Sequence, residues 1–242
     1  MNLYREQGVV LRTWKLGEAD RIVVLMTQGQ GKVRAVAKGV RKTKSRFGGR
    51  LEPFSHVDLS LYRGRELDIV TQAEVVAPFR ALREDYDRVV AGTAMLEAVD
   101  QVAQEREAAV RIYLLLVRAL RTLDGAPRDP SVVLDAFLLK LMALEGYRPA
   151  LAECAGCGRQ VLLRCFSIAR GGGLCDRCRT GEESTLDRAT VPLLAALLGD
   201  DLDATAASVP APASRREAGA LVKGYVEYHL ERRLRAYPLV AR

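Results

Sequence analysis

The apolar residues of this chain change their period once, just after Pro78, and that switch limits the fold more than any other feature of the sequence. Before it, residues 8–14, 21–27, 32–38, 56–63 and 67–76 are alternating or β-branched runs. Gly17-Glu18-Ala19-Asp20, Gln28-Gly29-Gln30-Gly31 and Gly64 punctuate them as turns. In the fourth run Val57, Leu59 and Leu61 face one way and Asp58, Ser60 and Tyr62 the other. Five short strands in about 80 residues, with no helix of any length before Pro78, predict a small closed or nearly closed β-barrel. An OB-fold is the first candidate, because one face and two loops of that barrel bind oligonucleotides; an SH3-like barrel or a sandwich fits the strand count as well.

Past Pro78 the spacing is helical. Leu82, Tyr86, Val89 and Val90 are continued by Thr93, Leu96 and Val99, and Val110, Tyr113, Val117, Leu120 and Leu123 repeat the pattern as far as Gly125. Asp129-Pro130 opens a third helix as N-cap and first-turn proline, with Val133, Phe137, Leu141 and Leu144 as its buried stripe and Gly146 and Pro149 as its stop. Residues 191–198 form a short apolar helix, and residues 200–214, rich in Asp, Ala, Pro and Ser, read as a loop or linker. Ser214-Arg215-Arg216-Glu217 matches a capping box opening a last helix, whose apolar stripe is Leu221, Tyr225 and Tyr228. The stripes are simply the core of a helical domain. The expected class is α+β multidomain: a barrel over residues 1–80, a helical domain over 81–149, a cysteine-bearing segment over 150–181 and terminal helices over 182–242.

The charge is distributed unequally. The net charge is +7, and residues 1–82 hold 15 Lys or Arg against 8 Asp or Glu, whereas the remainder holds 22 of each. The first third is therefore the electrostatic footprint for a polyanionic partner. Its centre is the run from Lys32 to Arg50, which carries Lys32, Arg34, Lys38, Arg41, Lys42, Lys44, Arg46 and Arg50 without one carboxylate. The first half reads as a strand and the second, with Gly39, Ser45, Gly48 and Gly49, as a loop: a cationic clamp for a phosphate backbone, or a plain solvated basic surface. No apolar run approaches the roughly 18 residues that span a bilayer. Residues 1–6 lack a signal-peptide pattern, so a cytosolic protein is expected, with cysteines that bind metal rather than form disulfides.

Cys154-Ala155-Gly156-Cys157 and Cys175-Asp176-Arg177-Cys178 are two C-x-x-C knuckles at four-thiolate zinc spacing. Four protein thiolates fill a tetrahedral ion and leave no place for water, so Cys154, Cys157, Cys175 and Cys178 are expected to hold structural Zn2+. A pair of redox dithiols is the competing reading. Cys165 is expected to be a small, half-buried apolar residue. The zinc-deaminase pattern fails for want of H-x-E, since His56-Val57-Asp58 lacks the glutamate. Gly29-Gln30-Gly31-Lys32 is no phosphate loop, because Met26 replaces the first glycine and Val33 the hydroxyl residue. Asp20, Asp58 and Asp68 could in principle cluster as a nuclease metal site, yet strand-end aspartates are common in turns, which is the favoured reading. A binding protein is expected, not an enzyme.

Residues 20–27, Gly31-Lys32, the block from Ala37 to Arg46, Leu51-Glu52-Pro53-Phe54 and Gln72-Ala73-Glu74 resemble the N-terminal signature of RecO, the bacterial recombination mediator. Gly146-Tyr147-Arg148-Pro149, the first C-x-x-C-G, Phe166-Ser167 and Gly172-Gly173-Leu174-Cys175 resemble the same family's zinc segment. The resemblance implies an OB-fold, a helical body and a zinc segment folded onto it. It also implies binding of single- and double-stranded DNA, annealing of complementary strands and, with RecR, help for RecA in replacing single-stranded DNA-binding protein in the nucleoid. Some members of that family lack the cysteines; this chain has all four.

On this reading the eight cations of residues 32–50 grip phosphates, and Phe47, Trp14 and Tyr62 are candidates to stack on bases. A different reading is an adaptor whose helical domain docks acidic protein tails near Arg118, Arg121 or Arg232-Arg233-Arg235, with DNA contact secondary.

Overall fold

A computed structural model of the chain describes residues 2–42, 45, 47–181 and 183–240. Strands β1 (Leu3–Leu16), β2 (Asp20–Thr27), β3 (Gly31–Ala37), β4 (His56–Tyr62) and β5 (Asp68–Ala77) close into a barrel in the order β1-β2-β3-β5-β4. All pairs are antiparallel except β3 with β5. This is the OB-like arrangement. Strand β1 begins earlier than its alternation suggests, because it serves two partners: residues 3–9 pair with β4 and residues 8–16 with β2. A bulge between Val10 and Arg12 bends it from one to the other.

Val10, Val23, Leu25, Ala35, Val57, Leu59, Leu61 and Val70 fill the interior, as the alternation of the strands requires. The β3–β4 connection adds Phe47 and Leu51, which are 1% and 2% exposed. Phe47 is thus part of the barrel core and does not stack on bases as the sequence suggested. The same cluster holds the small residues Ala35, Ala37 and Ala73. Burying the Phe47 ring gains roughly 1.5–3 kcal/mol in every molecule, as much as stacking on a base would supply only when a ligand is present.

Strands β3 and β5 share just two pairs, Ala35 with Asp68 and Val36 with Ile69, so each has a free edge. That of β3 is covered by residues 104–106: the Lys32 N–H donates to the Gln104 carbonyl at 3.2 Å and the Arg106 N–H to the Lys32 carbonyl at 3.0 Å. Gly31 sits at φ +65°, and a Cβ there would fall 1.7 Å from the Glu107 carbonyl oxygen, so only glycine fits. Fully buried Asp68 closes the junction. It accepts from the Tyr4 hydroxyl, from the Gly64 N–H at 3.0 Å and from Arg106 Nη2 at 2.9 Å. Burial first, and the Asp68 hydrogen bond second, raise the Tyr4 pKa above its ordinary range.

His56, 3% exposed, has Nε2 2.8 Å from the Tyr113 hydroxyl, and its Nδ1 has no hydrogen-bond partner among the described residues. Burial, with Arg121 secondary, lowers its pKa from 6.5. The folded state therefore favours neutral imidazole, and its contribution is complete above about pH 6.5 and lost as the pH falls through the lower folded value. Thermal denaturation at a series of pH values should show stability falling in that window by at most about 1.4 kcal/mol per pH unit for this group. In His56→Gln the slope should be shallower.

The remaining elements are helical: α1 (Arg80–Arg83), α2 (Tyr86–Val102), α3 (Val110–Asp124), α4 (Pro130–Leu144), α5 (Thr190–Gly199), α6 (Leu202–Ala207) and α7 (Pro212–Leu230). Between α4 and α5 lies a two-stranded ribbon, β6 (Cys165–Ser167) and β7 (Gly172–Leu174). Two compact units result, residues 1–84 with 96–121 and residues 85–95 with 122–242. The second is built on α4, buried on nearly every side and packed against α5, α6 and α7. Asp129 caps α4 by accepting the Ser131 N–H, and Pro130 occupies its first turn, as the sequence predicts.

Three details differ from the sequence reading. Residues 202–207 form α6, with the Asp201 carboxylate accepting the Ala204 N–H, so the apparent linker contains a capped helix. Helix α7 starts at Pro212, whose fixed φ suits a first turn, so Ser214 lies inside the helix and its hydroxyl donates to the Ala211 carbonyl. The expected capping box does not form; Glu217 instead accepts from the Asp187 N–H and the Thr190 hydroxyl, tying α7 to the start of α5. The buried stripe of α7 includes Ala218, Val222, Tyr225 and Val226, while Tyr228 is 55% exposed.

Candidate functional site

The β3–β4 connection leaves the barrel beside the β1–β2 turn and is stitched to it. Asp20 Oδ1 accepts the Gly39 N–H at 2.7 Å, and the Arg41 N–H donates to the Ala19 carbonyl at 3.0 Å. The Arg41 guanidinium donates to the carbonyls of Gly17 and Glu18 at 3.2 and 2.7 Å. Lys38, Arg41 and Lys42 are exposed at this anchored end and Arg50 at the other end of the connection, while Lys44 and Arg46 fall outside the described residues.

Lys32 and Arg34 are placed differently. Lys32 Nζ donates to the Asp100 carbonyl at 2.6 Å and lies 3.5 Å from its carboxylate, which also pairs with Arg12 at 2.6 Å. Arg34 pairs with Glu105 at 2.6 Å. The run that carries no acid of its own is therefore met by acids from a distant segment at two of its eight cations, Lys32 and Arg34. Trp14 is 37% exposed with the Arg12 guanidinium 4.9 Å from its ring centre, and Tyr62 is 44% exposed with its oxygen accepting from Asn2 at 3.1 Å.

In the second unit the two knuckles converge. The sulfurs of Cys154, Cys157, Cys175 and Cys178 all lie within 4.8 Å of one another, close to the roughly 3.8 Å edge of a tetrahedron with metal–sulfur bonds of about 2.3 Å. The Cys157 and Gly158 N–H groups donate to the Cys154 carbonyl, those of Cys178 and Arg179 to the Cys175 carbonyl, and the Cys175 N–H reaches the Cys154 sulfur at 3.4 Å. A Cβ at Gly156 would fall 2.9 Å from Cys178 Cβ, so the first knuckle needs glycine to let the second approach. Burial opposes ionisation of Cys154, but N–H groups of Cys175, Gly156 and Cys157 outweigh it and draw the thiol down to about 6. Hydrogen bonding with Cys157 pushes Cys178 up to about 12. The donor set suits a thiophilic cation in a closed four-ligand site. Cys165 stands apart, buried on β6 with its thiol 3.8 Å from the Leu174 carbonyl.

Residues 1–79 match the family model described as Recombination protein O N terminal, and residues 83–238 match Recombination protein O C terminal. A DNA repair protein RecO of Frankia casuarinae is 49% identical over 244 residues covering the whole of both chains. One of a Nocardioides species is 50% identical over 248 residues, 99% of this chain and 100% of its own. The chain belongs to the RecO family. Thermobifida fusca has another DNA repair protein RecO, 48% identical over 244 residues and the full length of both.

The two RecO matches meet between residues 79 and 83, where the hydrophobic period switches. Among the described residues of this RecO chain the four cysteines form a metal-sized cluster, whereas Asp20, Asp58 and Asp68 do not. Asp20 holds the Gly39 amide and Asp68 is sealed by Tyr4 and Arg106, which gives both a structural role. Asp100 and Glu105 escaped the sequence reading, because nothing in a helical pattern shows which strand its acids will face. No described helix is long and apolar enough to cross a membrane.

Proposed function

We propose that this chain is a recombination mediator that acts by holding DNA and docking proteins rather than by catalysis. Lys38, Arg41, Lys42 and Arg50, with Lys44 and Arg46 between them, grip phosphates. Lys32 and Arg34 contribute less, since Asp100 and Glu105 already oppose their charge. The single observation that carries the reading is the set of exposed cations Lys38, Arg41, Lys42 and Arg50, in a run whose sequence holds no carboxylate as far as Arg50 and which is fixed at one end to the β1–β2 turn. Backbone gripping leaves base edges free, which suits annealing of complementary strands. Trp14 and Tyr62, both partly exposed, stack on bases at roughly 1–3 kcal/mol each. The expected protein partners are those of the family: RecR, single-stranded DNA-binding protein and, through them, RecA, in the cytoplasm at the nucleoid. The four cysteines hold Zn2+ as a staple for the second unit.

The experiment is a salt titration of the full chain on single-stranded and duplex DNA. The logarithm of affinity should fall linearly with that of salt, with slopes of about 0.7 and about 0.9 per neutralised phosphate respectively. Affinity independent of salt would exclude a phosphate clamp.

A further inference from the structure

The free edge of β5 opens onto a groove that shares only Arg50 with the clamp. Beyond Ile69 this strand pairs with no strand on the side facing β3 among the described residues, so alternate N–H and C=O groups of residues 71–75 are directed away from β4. The groove has a volume of about 530 Å3 and is bounded by residues 71–75, with Phe47 and Arg50 of the β3–β4 connection opposite. Its walls are mixed. Arg50 supplies one cation, Glu74 an exposed carboxylate, and Gln72 an exposed amide whose oxygen accepts the Ser60 hydroxyl at 3.2 Å, which leaves its NH2 group as the donor.

Resting on the DNA reading of the adjoining loop, we infer that this groove receives one unpaired nucleobase of a single strand, with its phosphate on Arg50. A phosphate is unwelcome in the groove itself, because Glu74 and the strand carbonyls repel it. A base edge offers the donors and acceptors these groups lack. The strand edge could equally accept an extended peptide, but the groove continues directly from the cationic connection through Arg50, and that continuity favours the nucleotide. A paired base cannot enter, so the groove distinguishes single strand from duplex. Its chemistry also distinguishes bases: the cytosine amino group can donate to Glu74 while its ring nitrogen accepts from Gln72, whereas thymine in the same pose turns its O4 carbonyl to the carboxylate and its N3–H donor to the Gln72 NH2 group.

The full chain should be titrated with oligo(dC), oligo(dT) and a duplex of the same length. The parent should bind oligo(dC) roughly tenfold more tightly than oligo(dT). Glu74→Ala and, separately, Gln72→Ala should bring that ratio close to one while duplex affinity stays within about twofold, which also shows that each variant is folded. The ratio cancels the general gain in affinity from removing a negative charge. A ratio near one in the parent, or one that both variants retain, would overturn the base site and leave the edge to a peptide. Failure of the parent to bind any of the three would instead overturn the DNA reading, and the inference with it.

Discussion

Serine in place of both Cys154 and Cys175 is expected to abolish metal binding and to cost the second unit more than about 4 kcal/mol. Little else holds residues 150–181 together. Their apolar cluster consists of Cys154, Cys165, Leu174 and Cys175 with partly buried Ala155, Leu163 and Cys178, and the only regular structure among the described residues is a ribbon of two three-residue strands. So small a core cannot offset the conformational entropy of the segment, which runs to about 1–2 kcal/mol per ordered residue for the backbone alone. Structural zinc sites contribute on the order of 10 kcal/mol in apparent binding energy. A strong chelator should therefore reproduce the serine variant, with loss of metal by mass spectrometry and a lower melting temperature. Cys165→Ser should retain the metal, losing only about 1–3 kcal/mol for a hydroxyl placed among apolar groups. A melting temperature indifferent to chelator would exclude a structural ion. DNA affinity should change little in either variant, because the cations lie in the other unit.

Charge reversal on the β3–β4 connection should have the largest effect on binding. Lys38→Glu with Lys42→Glu is the cleanest pair, because Arg41 also holds the β1–β2 turn through two carbonyls and its loss would disturb the loop itself. Removing two phosphate contacts should flatten the salt slope by about 1.4 on single strands and about 1.8 on duplex. The added repulsion brings the expected loss of affinity to roughly a hundredfold at low salt. Arg34→Glu should behave differently. It places a carboxylate beside Glu105, so it should cost stability on the order of 1 kcal/mol and alter the salt slope much less.

The barrel was legible because period-two alternation is local and the turns between the strands carry glycine; Val57, Leu59 and Leu61 point inward as their spacing requires. The four cysteines were legible for a similar reason, since two knuckles at ribbon spacing have one common solution. What escaped depends on contacts between distant residues. The pairing of Lys32 and Arg34 with Asp100 and Glu105 joins a strand to a segment far along the chain. Phe47 looked like a loop aromatic, and its burial depends on a core assembled from strands distant in sequence. Ser214 and Glu217 had the residues of a capping box, but Pro212 had already started the helix. The groove along β5 had no sequence signal, since it exists only because β3 and β5 pair at two positions.

Lysine acetylation of the full chain, mapped by mass spectrometry with and without a single-stranded oligonucleotide, tests the central claim most directly. Lys38 and Lys42 should react freely in the unbound protein and become protected by DNA. Lys32 should react slowly in both states, since Asp100 holds its ammonium. Lys140, whose ammonium donates to the carbonyls of Leu198 and Asp200, should show no change. Protection at Lys140 or Lys223 with none at Lys38 and Lys42 would place the DNA on the helical unit and contradict the account.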